Sequence, residues 1–206
     1  MITLYHSPFT RSHLIRFALE ELGIPHELRQ LNLAGGEHKA PAYLRINPLG
    51  QLPALADGDL VVREAAAIAL HLADRAPGGG LAPAPGSPLR AEYYQWVVFA
   101  TATELAALGK IVLHTRLLPE GARIPAVAAE GQAQWAEVAR AIAHGLRGRA
   151  YLLGDAFSIA DVMVGGALWL AEFLGVLAPY PELSAYYARV SDRPAFRRAY
   201  ADTATP

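Results

Sequence analysis

Between residues 77 and 88 the chain carries four prolines (77, 83, 85 and 88) and four glycines (78, 79, 80 and 86). Proline fixes its own φ and has no amide hydrogen to donate, and glycine loses the most backbone entropy on ordering. Neither a helix nor a central strand runs through such a segment. It reads as a linker, and it restricts the fold to two units packed separately. At about 150 residues per domain, a length of 206 residues accommodates two small domains. The expected boundaries are 1–76 for the first, 77–88 for the linker and 89–206 for the second.

The two halves differ in pattern. In the first, Ile2 to Tyr5 forms a short apolar run stopped by Ser7-Pro8. Leu14, Ile15, Ala18, Leu19 and Leu22 follow at helical spacing, with Gly23 where a helix ends. His26 to Leu31 alternates weakly like a strand, and Glu37 to Ile46 has the length of a short helix before Asn47-Pro48. Ala54-Leu55-Ala56 and Leu60-Val61-Val62 flank Asp57-Gly58-Asp59, which is a hairpin signal. Glu64 to Asp74 returns to helical spacing. The order β-α-β-α-β-β-α suits a small mixed sheet covered by helices. After the linker, helical patterns cover Leu89 to about Thr115, roughly 123–148, Ser158 to Phe173, Glu182 to Val190, and Pro194 to about Ala201.

The sharpest local signal is Phe157-Ser158-Ile159-Ala160-Asp161-Val162. Ser158 and Asp161 stand three apart, as in a reciprocal capping box, and Phe157 and Val162 occupy the positions of a hydrophobic staple. Asp161 also suits the positive end of the helix dipole, so its role is folding.

Composition removes several functions. A hydrophobic fraction of 53% with 18% charged residues is incompatible with disorder, and a formal net charge of -1 offers no footprint for nucleic acid or an anionic membrane. There is no cysteine, which excludes disulfides, thiolate zinc sites and a cysteine nucleophile. The N-terminus has no basic start followed by an apolar stretch, and the run Val162 to Leu170 is about half a bilayer span, so a cytoplasmic protein is expected. Histidines 6, 13, 26, 71, 114 and 144 show no ligand spacing, and no metal is expected.

Four segments together resemble the glutathione S-transferase family of bacterial type. They are Leu4 to Ser12 followed by Phe17 to Pro25, then Asn47-Pro48-Leu49-Gly50-Gln51-Leu52-Pro53-Ala54-Leu55, then Arg63-Glu64 at a helix start, and the Ser158–Asp161 box. They occur in the family's order and at its spacing across nearly the whole chain. The resemblance implies a thioredoxin-like α/β N-terminal domain that binds glutathione, an all-α C-terminal domain that helps bind an electrophile, and a homodimer. It implies glutathione as co-substrate and no cofactor.

Residue by residue, Leu52-Pro53 resembles the family's cis-proline dipeptide, whose main chain pairs with the cysteinyl part of glutathione as an added strand. Glu64 and Ala65 open a helix whose first amides suit the γ-glutamyl carboxylate, with Glu64 for the ammonium. The family's serine after that glutamate is here Ala65, so one hydroxyl is missing. Gln51 and His38 cover the glycine end, with Lys39 a weaker candidate. A free thiol has a pKa near 8.5 and needs help to ionise at neutral pH. Alignment through Phe17-Ala18-Leu19 puts Thr10 at or beside the serine of the serine-type classes, with Ser12 as runner-up and Ser7 in the same stretch. Ser12 could equally cap the helix, and a cap is also the alternative for Thr10. Phe9 and a helix carrying Phe99 and Thr103 are the expected walls for the electrophile. Two other readings stay open: a non-catalytic binding module on this scaffold, and a glutathione-dependent isomerase or dehalogenase.

Overall fold

The structure, a computed structural model, describes residues 1–76 and 81–203; residues 77–80 of the expected linker and the last three residues lie outside them. In chain order the elements are β1 (Ile2–His6), α1 (Ser12–Glu21), β2 (His26–Gln30), α2 (Pro41–Leu44), β3 (Ala54–Asp57), β4 (Leu60–Arg63), α3 (Ala65–Arg75), α4 (Leu89–Phe99), α5 (Leu105–Val112), α6 (Pro125–Gly145), α7 (Ile159–Phe173), α8 (Pro181–Ser191) and α9 (Pro194–Ala199). The chain divides into two compact units, Met1–Ala82 with Asp192–Pro206, and Pro83–Ser191.

In the first unit the sheet order is β2-β1-β3-β4, with β1 parallel to β2 and antiparallel to β3, and β3 antiparallel to β4. Ile2, Leu4, Ile15, Phe17, Leu19, Leu55, Ile68 and Leu72 are fully buried where α1 and α3 pack together and against the sheet. Each such side chain contributes roughly 1.5–3 kcal/mol through burial. Tyr5, Leu31, Tyr43 and Ala54 form a second cluster, in which the Tyr5 and Tyr43 rings lie 5.4 Å apart. Strand β2 is a polar edge, which explains its weak alternation in the sequence.

Two expectations change here. Glu37 to Ile46 is not one helix. A 3-10 turn at Glu37–Lys39 stops at Ala40, whose backbone is extended, and Pro41 starts the short α2. Residues 192–206, which the sequence order grouped with the second domain, belong to the first unit. Arg193 holds Glu21 through a bidentate pair at 2.6 and 2.8 Å, and Arg198 reaches Glu20 at 2.6 Å. Phe196 meets Phe17 edge-on at 5.3 Å and stacks on Tyr200 at 4.1 Å.

The second unit is helical. The capping box forms as the sequence predicts. Asp161, fully buried, accepts from the Leu152 and Ser158 amides at 2.9 Å, from Ser158 Oγ at 2.9 Å and from Tyr186 Oη at 2.8 Å. The long pattern from Leu89 is interrupted by wider π-type turns at Ala100–Glu104 and Leu113–Leu117. By length and mean hydropathy the stretch Leu89–Leu117 could cross a bilayer, although it contains no single apolar run of that length. Here its Tyr93, Trp96, Val97, Leu105, Leu108 and Ile111 are buried core. Gly145 lets α6 approach α4, since a Cβ there would lie 2.4 Å from the Trp96 ring.

Candidate active site

The strand register brings the candidate segments to one end of the sheet. Tyr5 lies opposite Ala54, and Ala54 opposite Arg63. Three pieces of chain therefore reach the same edge: residues 7–12 leaving β1, Leu52-Pro53 entering β3, and Glu64-Ala65 leaving β4. A fourth joins them where β2 ends, tied by the Leu31 amide donating to the His6 carbonyl at 2.8 Å. That strand leads into the loop that carries His38. The α1 and α3 N-termini both follow strands that end at this edge, and each brings unpaired amides with it.

The Leu52-Pro53 peptide bond is cis, as the resemblance implies. Just upstream, the Gln51 carbonyl accepts from Tyr43 Oη at 2.7 Å and Asn47 Nδ2 at 2.8 Å, which fixes the backbone and leaves the Gln51 side chain exposed. Burial pushes the Tyr43 hydroxyl up to about 12, so it stays a donor. Gly50, at φ 59, sits so near the 37–39 turn that a Cβ would lie 2.6 Å from the His38 carbonyl. Only glycine permits that approach, which places His38 beside the Gln51 loop. His38 Nδ1 is buried with no partner among the described residues, and Lys39 Nζ is spent on the Leu49 carbonyl at 2.8 Å.

Among the described residues two non-glycine residues have positive φ, Phe9 at 59° and Glu64 at 67°. Strain of this kind concentrates at binding sites. Glu64 immediately precedes α3, and Phe9 lies in the turn between β1 and α1, three residues before the first residue of α1. Nothing in the sequence announced them. Glu64 is exposed and Ala65 is 4% exposed at the first position of α3.

The three hydroxyls form one cluster. Ser12 is fully buried and Ser7 is 7% exposed, whereas Thr10 is half-buried. Thr10 Oγ1 donates to the Ser7 carbonyl at 2.7 Å, lies 2.5 Å from Ser12 Oγ, and accepts from the Ser12 amide at 3.3 Å. Of the three, Thr10 is the most exposed, and Ser12, the runner-up, is fully buried. Neither forms the ordinary cap, since the N-cap position of α1 is Arg11 and carries no side-chain bond.

Behind the hydroxyls stands a group the sequence did not reveal. His6 Nδ1 lies 2.9 Å from Ser12 Oγ, and His6 Nε2 lies 2.8 Å from Asp202 Oδ2. His13 Nε2 reaches Asp202 Oδ1 at 2.8 Å, and Arg16 reaches Oδ2 at 3.1 Å. Burial lowers both imidazoles below their ordinary value, against the hydrogen bonds to Asp202. Burial opposes ionisation of Asp202 too, but the bonds from His6 and His13 outweigh it and hold the carboxyl down at about 2. The ligand-type atoms of His6, His13 and Asp202 lie within 4.8 Å of one another, although these residues show no ligand spacing along the sequence. Arg16 competes for the same carboxylate. The sequence gives no hint of this because 196 positions separate His6 from Asp202.

Of the expected electrophile walls, Phe9 belongs to the first unit and is 37% exposed. Phe99 and Thr103 belong to the second. Phe99 is half-buried against Trp96 at 5.2 Å, and Thr103 is exposed on the first π-type turn.

Comparison with known proteins decides the family. Residues 1–74 match the model of the glutathione S-transferase N-terminal domain, and residues 125–189 match that of the glutathione S-transferase C-terminal domain. The chain belongs to the glutathione S-transferase family. Its architecture is the thioredoxin-like α/β domain followed by the helical domain of that family. The chain is 32% identical over 213 residues to glutathione S-transferase 3 of Zea mays, covering 100% of this chain and 96% of that protein. It is 30% identical over 206 residues to maleylacetoacetate isomerase of Pseudomonas aeruginosa, covering 97% and 94%. Among solved structures, BphK, a bacterial glutathione S-transferase seen in a ternary complex, superposes with a TM-score of 0.85 at 30% identity, covering 98% of this chain and 100% of that one.

Proposed function

We propose that the protein binds glutathione at the shared sheet edge and transfers its sulfur to a small hydrophobic electrophile, acting as a cytoplasmic homodimer without a cofactor. The carrying observation is the register that aligns Tyr5, Ala54 and Arg63. It gathers a hydroxyl, a main-chain pairing edge and a helix N-terminus within one ligand's reach. In this reading the Leu52 main chain pairs with the cysteinyl unit. The Ala65 amide and the α3 dipole take the γ-glutamyl carboxylate, and Glu64 takes the ammonium. His38 and Gln51 meet the glycine carboxylate.

When glutathione binds, the Thr10 hydroxyl turns its one hydrogen from the Ser7 carbonyl to the sulfur and holds it as thiolate. One hydrogen bond to a charged group contributes about 1.5–3 kcal/mol, which lowers a thiol pKa by about one to two units. Turnover of a chloronitrobenzene by Thr10→Ala tests this role. A fall of about tenfold or more is expected, and a rate within twofold of the parent refutes it. Phe9 faces the electrophile in this reading. The isomerase relative keeps a second reading in view: a glutathione-dependent isomerase that uses the same site. Assay of both substrate types on one preparation separates the two.

A further inference from the structure

Behind the hydroxyls, side chains from three distant places in the chain converge: His6 at the end of β1, His13 in the first turn of α1, and Asp202 in a 3-10 turn at Ala201–Thr203. All three belong to the first unit. Their contacts cannot all be made by hydrogens of neutral imidazoles. His13 has an acceptor at each ring nitrogen, the Thr10 carbonyl 3.2 Å from Nδ1 and Asp202 Oδ1 2.8 Å from Nε2. A neutral imidazole has one N–H to give, and neither a carbonyl nor a carboxylate offers one in return. One of the two contacts therefore sets a nitrogen lone pair against an oxygen lone pair, unless a second positive centre joins the group. That centre is either an added proton on the imidazole or a metal ion between Nε2 and the carboxylate. Burial works against the proton, since it lowers the imidazole's pKa and His13 is 2% exposed.

We propose that His6 Nε2, His13 Nε2 and the Asp202 carboxylate bind one divalent transition-metal ion of the zinc type. The ligand-type atoms already lie within 4.8 Å of one another. Their surroundings favour the ligating tautomers. The His13 Nδ1 hydrogen goes to the Thr10 carbonyl, and His6 Nδ1 stands 2.9 Å from Ser12 Oγ, which can accept its hydrogen. Both Nε2 lone pairs then face the carboxylate, and outer hydrogen bonds of this kind orient ligating imidazoles. Two imidazoles and one carboxylate suit zinc and its neighbours, whereas magnesium and calcium take oxygen donors. Bonds of about 2.0–2.2 Å at tetrahedral angles hold ligand atoms roughly 3.3 Å apart. Entry of the ion therefore opens the two 2.8 Å contacts by about half an ångström. A water takes the fourth position, because the Asp202 side chain is 31% exposed while both histidines are buried.

Arg16 sets the limit on affinity. Its guanidinium lies 3.1 Å from Asp202 Oδ2 and repels a second cation. A carboxylate oxygen has two lone pairs, so Arg16 keeps its bond and orients the carboxylate while the ion takes the other. Asp202 reaches this place because Arg193, Phe196 and Arg198 hold the terminal helix on α1. The ion adds a further fastening of the C-terminal turn to β1 and α1, and takes no part in the sulfur chemistry. The site needs no glutathione, so it stands or falls apart from the transferase reading. Spacing along the sequence cannot disclose it, since its ligands come from opposite ends of the chain.

The test uses the full chain, freed of metal with a chelator and dialysed without glutathione. It is titrated with zinc(II) by calorimetry and with cobalt(II) by visible absorbance. One zinc should bind per chain, and cobalt should give the strong visible bands of a low-coordinate site. Magnesium should bind at least about a hundredfold more weakly. Zinc should raise the melting temperature of the parent. In Asp202→Asn and in His13→Gln the zinc affinity should fall at least about tenfold and that rise should vanish. His13 stacks on Tyr200 at 5.0 Å, so where His13→Gln does not fold, Asp202→Asn, with its partly exposed carboxylate, carries the test. Absence of one-to-one zinc uptake by the parent overturns the proposal and leaves an added proton on His13 as the second positive centre. Zinc affinity unchanged in a variant that is folded by circular dichroism also overturns it, since the zinc is then held elsewhere.

Discussion

Replacing Ala65 by Ser should tighten glutathione binding. Ala65 is the first residue of α3 and is 4% exposed, with Glu64 bent to φ 67 immediately before it. The bend sets the Ala65 amide at the helix mouth, where the γ-glutamyl carboxylate is placed in the proposed site. A serine hydroxyl there adds one bond to a charged group, worth about 1.5–3 kcal/mol. Helix propensity costs free and bound protein alike about 0.5 kcal/mol of stability and cancels from the affinity. The gain of roughly 1.5–3 kcal/mol corresponds to about ten- to a hundred-and-sixtyfold in affinity. Isothermal calorimetry of parent and variant at one pH and salt concentration measures it directly. The gain should vanish with a glutathione analogue in which the γ-glutamyl carboxylate is amidated. Unchanged or weaker binding of glutathione by the variant, with its melting temperature preserved, would refute the placement of that carboxylate.

Two further predictions concern the second unit. Asp161→Ala strands buried donors from Leu152, Ser158 and Tyr186 and should lower unfolding free energy in urea by at least about 3 kcal/mol, at about 1–3 kcal/mol per stranded group. A loss under about 1 kcal/mol contradicts the capping account. Glu104 is fully buried, and neither of its carboxylate oxygens has a partner among the described residues. Burial raises its pKa well above the ordinary 4.5, so its stabilising protonated form is complete below that value and its contribution is lost as pH rises toward the folded-state pKa. Glu104→Leu should therefore stabilise the protein by about 1–3 kcal/mol at pH 8 and by less at pH 5. Thermal melts at both pH values check this, and a variant less stable than the parent at pH 8 contradicts it.

What the sequence disclosed was local. The Ser158–Asp161 box, the Asp57-Gly58-Asp59 hairpin and the α1 stripe each depend on residues within a few positions, and all three form. The resemblance carried Pro53, Glu64 and Thr10 to one sheet edge because those segments keep the family's order. Features that depend on contacts between distant positions stayed hidden. Arg193 and Arg198 pair with Glu21 and Glu20 from the opposite end of the chain, so proximity in sequence assigned the last helix to the wrong unit. The positive φ of Phe9 and Glu64 has no residue signature, since neither is glycine or asparagine. The π-type turn ending at Glu104 interrupts a pattern that reads as continuous helix, because hydrophobic spacing changes little when one residue is added to a turn.

A structure of the protein with bound glutathione tests the central claim most directly. The account predicts the tripeptide lying along the edge marked by Tyr5, Ala54 and Arg63, its sulfur within hydrogen-bonding reach of Thr10 Oγ1 and its γ-glutamyl carboxylate on the Ala65 amide. Glutathione bound elsewhere on the molecule, or at this edge with its sulfur turned away from Thr10, would contradict it.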